Sequence, residues 1–349
     1  IFGGLSRSEA RQTARNLQLE NSLLVHSSMP IAHFLKNIAR GAAGARALDR
    51  ASARALMAAV LDGEVNKVEL GAFVIAMRMK GETLDELCGF LDAVQPRCLL
   101  LRSPGPVVVI PSYNGARRLP NLTPLLALML AQAGVNVLVH GLLHDPARVT
   151  TADILRDLGL APARHEADVH DAWARQQPAF MATSTLCPPL QSLLDVRQVV
   201  GLRNAGHSVA KMLHPFGAQR VLRLVNFTHP EFGALMTAWA QHERVDAMLL
   251  RGTEGEPVAD PRRRPRMDVY VGGMVCAAAS CAAQEGVVSD LPLLPAERDA
   301  AGTALYVQSL LAGELPMPGP IAQQVRAVLS VMATLATLGQ PAEAAPRPA

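Results

Sequence analysis

The chain has 349 residues, 50% of them apolar and 18% charged, enough to bury a large core without disulfides or metal, which excludes a disordered protein or a mini-scaffold. Aromatics are only 4%, and no apolar run is seen to approach the roughly 18 to 20 residues that cross a bilayer, so a membrane protein is not expected. The net charge of +3, from 33 basic and 30 acidic residues, is too mild to identify a partner, so the placement of the charges matters more.

The length suits about two structural units. Residues 1–28 show no sustained period and read as an extension, while Met29 opens a segment resembling a natural start. From Asp49 to Asp62, Leu56, Met57, Val60 and Leu61 recur at helical spacing, with Asp49 placed as N-cap and Gly63 as stop. A second helix is predicted over Lys67 to Met79, ending at Gly81. Thr83 and Glu86 then have the form of a capping box for a third. Residues 29–96 are therefore predicted to form a helical domain.

Residues 97–340 read as an α/β domain. Val107 to Ile110 is a short β-branched run typical of a buried parallel strand, and further strands are predicted over Val135 to His140, Phe180 to Ser184, Val221 to Phe227 and Ala247 to Leu250. Helical stretches at Leu122 to Gln132 and Thr151 to Leu158 alternate with them, which implies a mainly parallel sheet flanked by helices. Leu190 to Leu213 also reads as helical, with a break expected in the Gly201-Leu202-Arg203-Asn204-Ala205-Gly206 stretch, and residues 341–349 read as a disordered tail. The five cysteines include no CxxC pair and no His/Cys cluster at zinc spacing, which fits reduced thiols and a cytoplasmic compartment.

Between Val196 and Pro230 there are five cations, Arg197, Arg203, Lys211, Arg220 and Arg223, and no Asp or Glu. His207, His214 and His229 share that interval and could add charge at lower pH. Other basic groups are Lys36, Arg40, Arg46, Arg50 and Arg54, the pair Arg117-Arg118, and Arg262 to Arg266, read as a mobile loop. With so few aromatics, a nucleic acid would be held through its phosphates, with weak sequence preference and steep salt dependence.

Residues 48–94, above all Ala76-Met77-Arg78-Met79-Lys80-Gly81-Glu82-Thr83, resemble the helical domain of the anthranilate phosphoribosyltransferase family. Asn121-Leu122-Thr123, His140-Gly141, Thr151 to Leu155, Gly201 to Asn204 and His214-Pro215-Phe216 follow in family order. The resemblance implies a glycosyltransferase family 3 fold: a small helical domain that also mediates dimerisation, extended by segment 190–213, beside a phosphoribosyltransferase-like α/β domain. It further implies transfer of a phosphoribosyl group from a magnesium-bound diphosphate donor. The site residues it implies are Ser112, Asn114 and Gly115 in the donor loop, Asn121 and Thr123 at the donor-site helix start, His140, and Arg197 facing the acceptor.

The family pattern is also broken. Its glycine-rich donor loop is Pro111-Ser112-Tyr113-Asn114-Gly115 here, in which Pro111 lacks an amide proton and Tyr113 fills space the donor needs; its lysine before His-Gly is Val139. Of the metal-binding acidic pair, only Glu254 and Glu256 remain, out of register, as weak magnesium candidates. These departures, with the segment Ile110 to Arg118, are similar to the YbiB-like branch. That branch implies a homodimer binding DNA, especially single-stranded, or RNA non-specifically, without cofactor, through Arg117, Arg118, Arg197, Arg203, Lys211, His207, Arg40 and Arg46. The alternative is a phosphoribosyltransferase with an altered acceptor, using magnesium.

Overall fold

The computed structural model describes residues 31–41, 43–288 and 291–339; the expected extension and tail lie outside them. Four helices form the first unit: α1 (Ala32–Ile38), α2 (Arg50–Leu61), α3 (Lys67–Lys80) and α4 (Leu84–Val94). Each strong cap in the sequence is made. The Asp49 carboxylate accepts the Ser52 amide, and Asn66 with Glu69 and Thr83 with Glu86 close two capping boxes. Glu86 is buried, and it also accepts the Leu48 amide at 2.9 Å and the Lys80 ammonium at 2.5 Å, tying three segments together. Gly89 lets α4 approach α2, since a Cβ there would lie 2.3 Å from the Arg50 carbonyl oxygen.

The second unit is built on a seven-stranded sheet. Its strands are β1 (Val107–Ser112), β2 (Asn136–Gly141), β3 (Ala179–Ala182), β4 (Val221–Phe227), β5 (Ala247–Arg251), β6 (Met267–Val271) and β7 (Met274–Val275), in the order β3-β2-β1-β4-β5-β6-β7. The first five are parallel, with Val109 opposite both Leu138 and Arg223; β6 and β7 turn back antiparallel. Alternate positions along each strand feed different cores. Val107, Val109 and Leu138 join the core shared with the helical unit, whereas Val108, Ile110, Val137 and Val139 pack against α5 (Thr123–Gln132), α12 (Ala300–Leu311) and α13 (Gly319–Leu338). The strand order reverses between β1 and β4, so a crevice opens at their carboxyl ends, the usual ligand position in open α/β sheets.

Several boundaries differ from expectation. The expected helix after β2 is α6 (Thr151–Asp157), and the third strand stops at Ala182, because Thr183 opens the short α8 (Thr183–Leu186). The helical stretch 190–213 divides into α9 (Pro188–Val200) and α10 (Ala205–Ala210), as Gly201 adopts a left-handed conformation at φ +75° and Asn204 caps the next turn. Both pieces share the helical unit's core through Leu190, Leu193, Leu194 and Val209. Helices α7 (Glu166–Ala174) and α11 (Pro230–His242), like α12, α13, β6 and β7, carry no expectation from the sequence. One correction concerns the apolar runs: α13 has 20 residues at mean hydropathy 1.3, long and apolar enough to cross a membrane. Here it buries Ile321, Val325, Val328 and Leu335 against the sheet side, and its buried Gln324 accepts the Ala259 amide and donates to the Pro257 carbonyl.

A candidate anion-binding cleft

Ser112, Asn114, Gly115, Asn121 and Thr123, which the resemblance placed at the donor site, converge at the carboxyl end of β1, but on an unexpected centre. Glu256 is 1% exposed, and its Oε1 accepts the backbone amides of Asn114 and Gly115, both at 2.7 Å. Its Oε2 accepts the hydroxyls of Ser112 and Thr123. Thr151 links Ser112 to Asn121 through its hydroxyl, at 2.8 Å and 3.1 Å. Glu254 repeats the arrangement next door: its two oxygens accept the amides of Arg117, Arg118 and Leu119 at 2.5–2.7 Å. Burial pushes the Glu256 carboxyl up, while Ser112, Gly115, Asn114 and Lys211 pull it down.

A tight turn delivers both carboxylates. Glu254 and Gly255 both lie at positive φ, +52° and +87°, and Glu256 donates its amide to the Thr253 carbonyl at 2.9 Å. A Cβ at Gly255 would fall 1.9 Å from the Asn114 side-chain nitrogen. Glu254 and Glu256 therefore fail as magnesium candidates, because their oxygens already face N–H and O–H donors, and no group of three His, Cys, Asp or Glu among the described residues is arranged to hold a metal.

Tyr113 and His140 are interior residues. The phenol lies 2.8 Å from His140 Nδ1 and accepts the Thr183 hydroxyl at 3.1 Å, and the residue is buried. Desolvation holds His140 neutral, down to about 4, although a hydrogen bond with the Leu213 backbone opposes that shift. Gly141 is required, since a Cβ would lie 1.8 Å from the Ser112 carbonyl oxygen.

The cations divide into two classes. Arg223 lies under the Trp239 ring at 5.1 Å and donates to the Met212 carbonyl, and Arg220 pairs with Asp246, so both are structural. Arg50 bridges Asp92 and Glu243 across the two units. The run expected to be a mobile loop is pinned: Arg262 pairs with Asp260, Arg266 with Asp268, Arg263 donates to Gly286 and Arg264 to Ala282 and Gln323. Arg40 and Arg46 are exposed in the segment after α1, and Lys36 is exposed on α1, all away from the cleft lining.

The second class surrounds the crevice. Arg197 pairs with Asp145 at 3.3 Å, and Arg148, a residue with no signal in the sequence, reaches Gly115 O at 3.2 Å and Glu254 at 3.9 Å. Among the described residues, Arg203 makes no hydrogen bond or ion pair; desolvation and the charges of Arg197 and Arg148 hold its guanidinium down to about 10. Lys211 donates to the Asn226 carbonyl at 3.3 Å and is held down to about 8 by desolvation and Arg203. Arg117 and Arg118 are exposed, their amides fixed by Glu254. His207 is not a cation here: desolvation, then Arg203 and Arg197, press it to about 3.

Arg203, His207 and Lys211 line a cleft of about 550 Å³ together with Arg78, Lys80 and Phe227, whereas Arg117, Arg118, Arg148 and Arg197 are not on its lining. Glu82 and Glu231 are its acidic members, and desolvation pushes Glu82 up.

Residues 32–98 match a family model described as the helical bundle domain of a glycosyl transferase family. The uncharacterized protein YbiB of Escherichia coli (strain K12) is 38% identical over 308 residues, covering 87% of this chain and 95% of its own. The anthranilate phosphoribosyltransferase of a Nocardioides species is 26% identical over 289 residues, 82% of this chain and 83% of that enzyme. Among solved structures, the anthranilate phosphoribosyltransferase of Thermus thermophilus aligns with a TM-score of 0.66 at 22% identity, over 87% of this chain and 89% of that one. The Saccharomyces cerevisiae enzyme in complex with PRPP and Mg gives 0.65 at 13% identity, over 90% of each. At those identities the structures establish a shared fold.

Proposed function

The chain belongs to glycosyltransferase family 3, in its YbiB-like branch beside the anthranilate phosphoribosyltransferases, and from that premise we propose that it binds nucleic acid non-specifically through the cleft instead of transferring phosphoribosyl groups. The observation that carries this reading is Arg203, a guanidinium unpaired among the described residues and crowded by Arg197 and Arg148. A guanidinium pressed by two like charges, with no ion pair of its own among the described residues, is relieved by an anion laid against it. A phosphate backbone supplies several anions at a spacing that a small ligand does not, and releases counterions as it binds.

Two further features support the reading. The donor-loop amides are already occupied by Glu254 and Glu256, which leaves a magnesium diphosphate neither amide donors nor carboxylate ligands at that place. On α3, Val68, Ile75 and Met79 are 78%, 40% and 78% exposed and share one face at spacings of seven and four residues. Such a stripe suits a second copy, and a dimer brings two clefts to one strand. Ile75→Asp is expected to shift the protein to monomer in sedimentation at unchanged helicity; an unchanged dimer would place the interface elsewhere.

The deciding experiment is a salt titration of a labelled single-stranded oligonucleotide. Binding whose logarithm falls linearly and steeply with the logarithm of salt, alike for unrelated sequences, is expected. Absence of binding at low salt, or indifference to salt, refutes the proposal. Calorimetric titration with phosphoribosyl diphosphate and magnesium is expected to give no heat, whereas saturable binding with thermal stabilisation would return the chain to the transferase reading.

A further inference from the structure

Cys98 and Cys187 are far apart in the chain but meet in the core that the helical unit shares with the sheet. Cys98 ends the short turn Gln95–Arg97 that follows α4, and Cys187 stands between α8 and α9. The Leu99 amide donates to the Leu186 carbonyl at 2.8 Å, so the residue before the one and the residue after the other face each other. The two thiols are hydrogen-bonded to one another. Both are free thiols, Cys187 buried and Cys98 half-buried. We propose that Cys98 and Cys187 are a dithiol oxidation site, closed to a disulfide by a small hydroperoxide, which fastens the segment leaving α4 to the start of α9.

A disulfide closes without strain only where two cysteines already approach on segments that need not move. Both segments here are fixed. Arg97 donates to Asp62 Oδ1 at 2.7 Å and to the Ala93 carbonyl at 2.6 Å, and the Leu101 amide donates to the Pro215 carbonyl at 2.8 Å. On the other side, the Cys187 amide donates to the Thr183 carbonyl at 2.8 Å. The proton between the sulfurs is shared unequally. The hydrogen bond from Cys98 holds the Cys187 thiol below its ordinary range, with the Leu190 amide and the Arg97 charge acting the same way against burial. That hydrogen bond and desolvation push Cys98 up. Cys187 is therefore the attacking sulfur and Cys98 the resolving thiol. Leu99 and Leu100, next to the pair, are 38% and 58% exposed, so a small oxidant has little protein to cross. In the first step the Cys187 thiolate attacks one oxygen of hydrogen peroxide, the O–O bond breaks, and the leaving oxygen departs as water with the proton Cys187 gave up. The Cys98 sulfur then attacks the resulting sulfenic acid, the S–O bond breaks, and the hydroxyl leaves as a second water with the Cys98 proton.

The inference stands whether or not the cleft binds nucleic acid. Its test needs only the unaltered, folded protein, treated with hydrogen peroxide in metal-free buffer, alkylated and mapped by mass spectrometry. The expected product has lost two hydrogens and yields one linked peptide pair carrying Cys98 and Cys187, released by a phosphine, while Cys88, Cys276 and Cys281 are alkylated as before. Oxidised protein is expected to unfold at a higher urea midpoint than reduced protein, because closing a loop of about 90 residues restricts the unfolded chain. Cys98→Ser, at a half-buried position, removes the resolving thiol and is expected to leave added oxygen on Cys187. A disulfide between other cysteines, sulfinic acid on Cys98 or Cys187 of the unaltered protein without linkage, or no reaction while the protein is folded would overturn the proposal. So would a linked protein with an unchanged or lower midpoint, since the native chain would then have to distort to reach the disulfide. Oxygen found elsewhere but never on Cys187 in Cys98→Ser overturns the assignment of the attacking sulfur.

Discussion

At the scale of single residues, two arginines twenty positions apart divide the basic segment between binding and folding. Arg203 has no partner among the described residues and is pressed downward by its cationic neighbours, so Arg203→Glu is expected to leave the fold as stable as before. The same change weakens every oligonucleotide alike and makes the salt slope shallower by about one, read in the same titration. Arg223 is the converse. Its guanidinium lies under Trp239 with Nε shut away from solvent, so Arg223→Ala is expected to cost about 2 kcal/mol in urea unfolding through lost packing and lost cation–π attraction, without touching the cleft. The sequence shows both as members of one acid-free stretch. It separates neither, because β4 turns alternate side chains to opposite sides, and which side holds Trp239 depends on α11, an element without a cap signal.

Among the elements, legibility followed local chemistry. Helices announced by a side-chain cap, α2 and α4, start where Asp49 and Thr83 predict, and the parallel strands with continuous β-branched runs fall within two residues of expectation. Helices α11 and α13 start at Pro230 and Gly319 with no side-chain cap to mark their first turn. The 251–257 turn was the largest loss. Two glutamates flanking a glycine read as no more than weak metal candidates, since nothing local reveals that the donors they meet are amides 135 or more positions earlier. The turn itself is testable. Gly255→Ala forces a side chain into φ +87° and against Asn114, and is expected to lower the urea midpoint by the equivalent of about 2 kcal/mol or more. Gly63→Ala, also at positive φ but with nothing within 4 Å, meets only the backbone cost of about 1 kcal/mol and serves as the control.

For the whole molecule, pH separates stability from binding. His140, His207 and His214 are all held neutral in the fold, the first two at about 4 and about 3 and His214 well below its ordinary value, chiefly by desolvation. An unfolded chain titrates them near 6.5, so below that pH the unfolded state takes up protons that the folded state refuses. Stability is therefore full above pH 6.5 and falls on acidification, by up to about 1.4 kcal/mol per pH unit for each histidine. Glu82 and Glu256, raised by desolvation, take protons first in the folded state and act the other way, but two groups do not offset three. Urea midpoints are expected to be lower at pH 5 than at pH 7.5, and equal midpoints would contradict the buried neutral histidines. Binding follows another group. Because His207 stays uncharged in the cleft, oligonucleotide affinity is expected to gain nothing from its protonation between pH 7.5 and 6, contrary to what three histidines in a basic segment suggest. Lys211 sits at about 8, so its charge fades on the alkaline side, and affinity at constant ionic strength is expected to fall between pH 7 and 9. Lys211→Arg, whose guanidinium keeps its proton throughout that range, is expected to flatten the fall; an equally steep decline in that variant would move the titrating group out of the cleft.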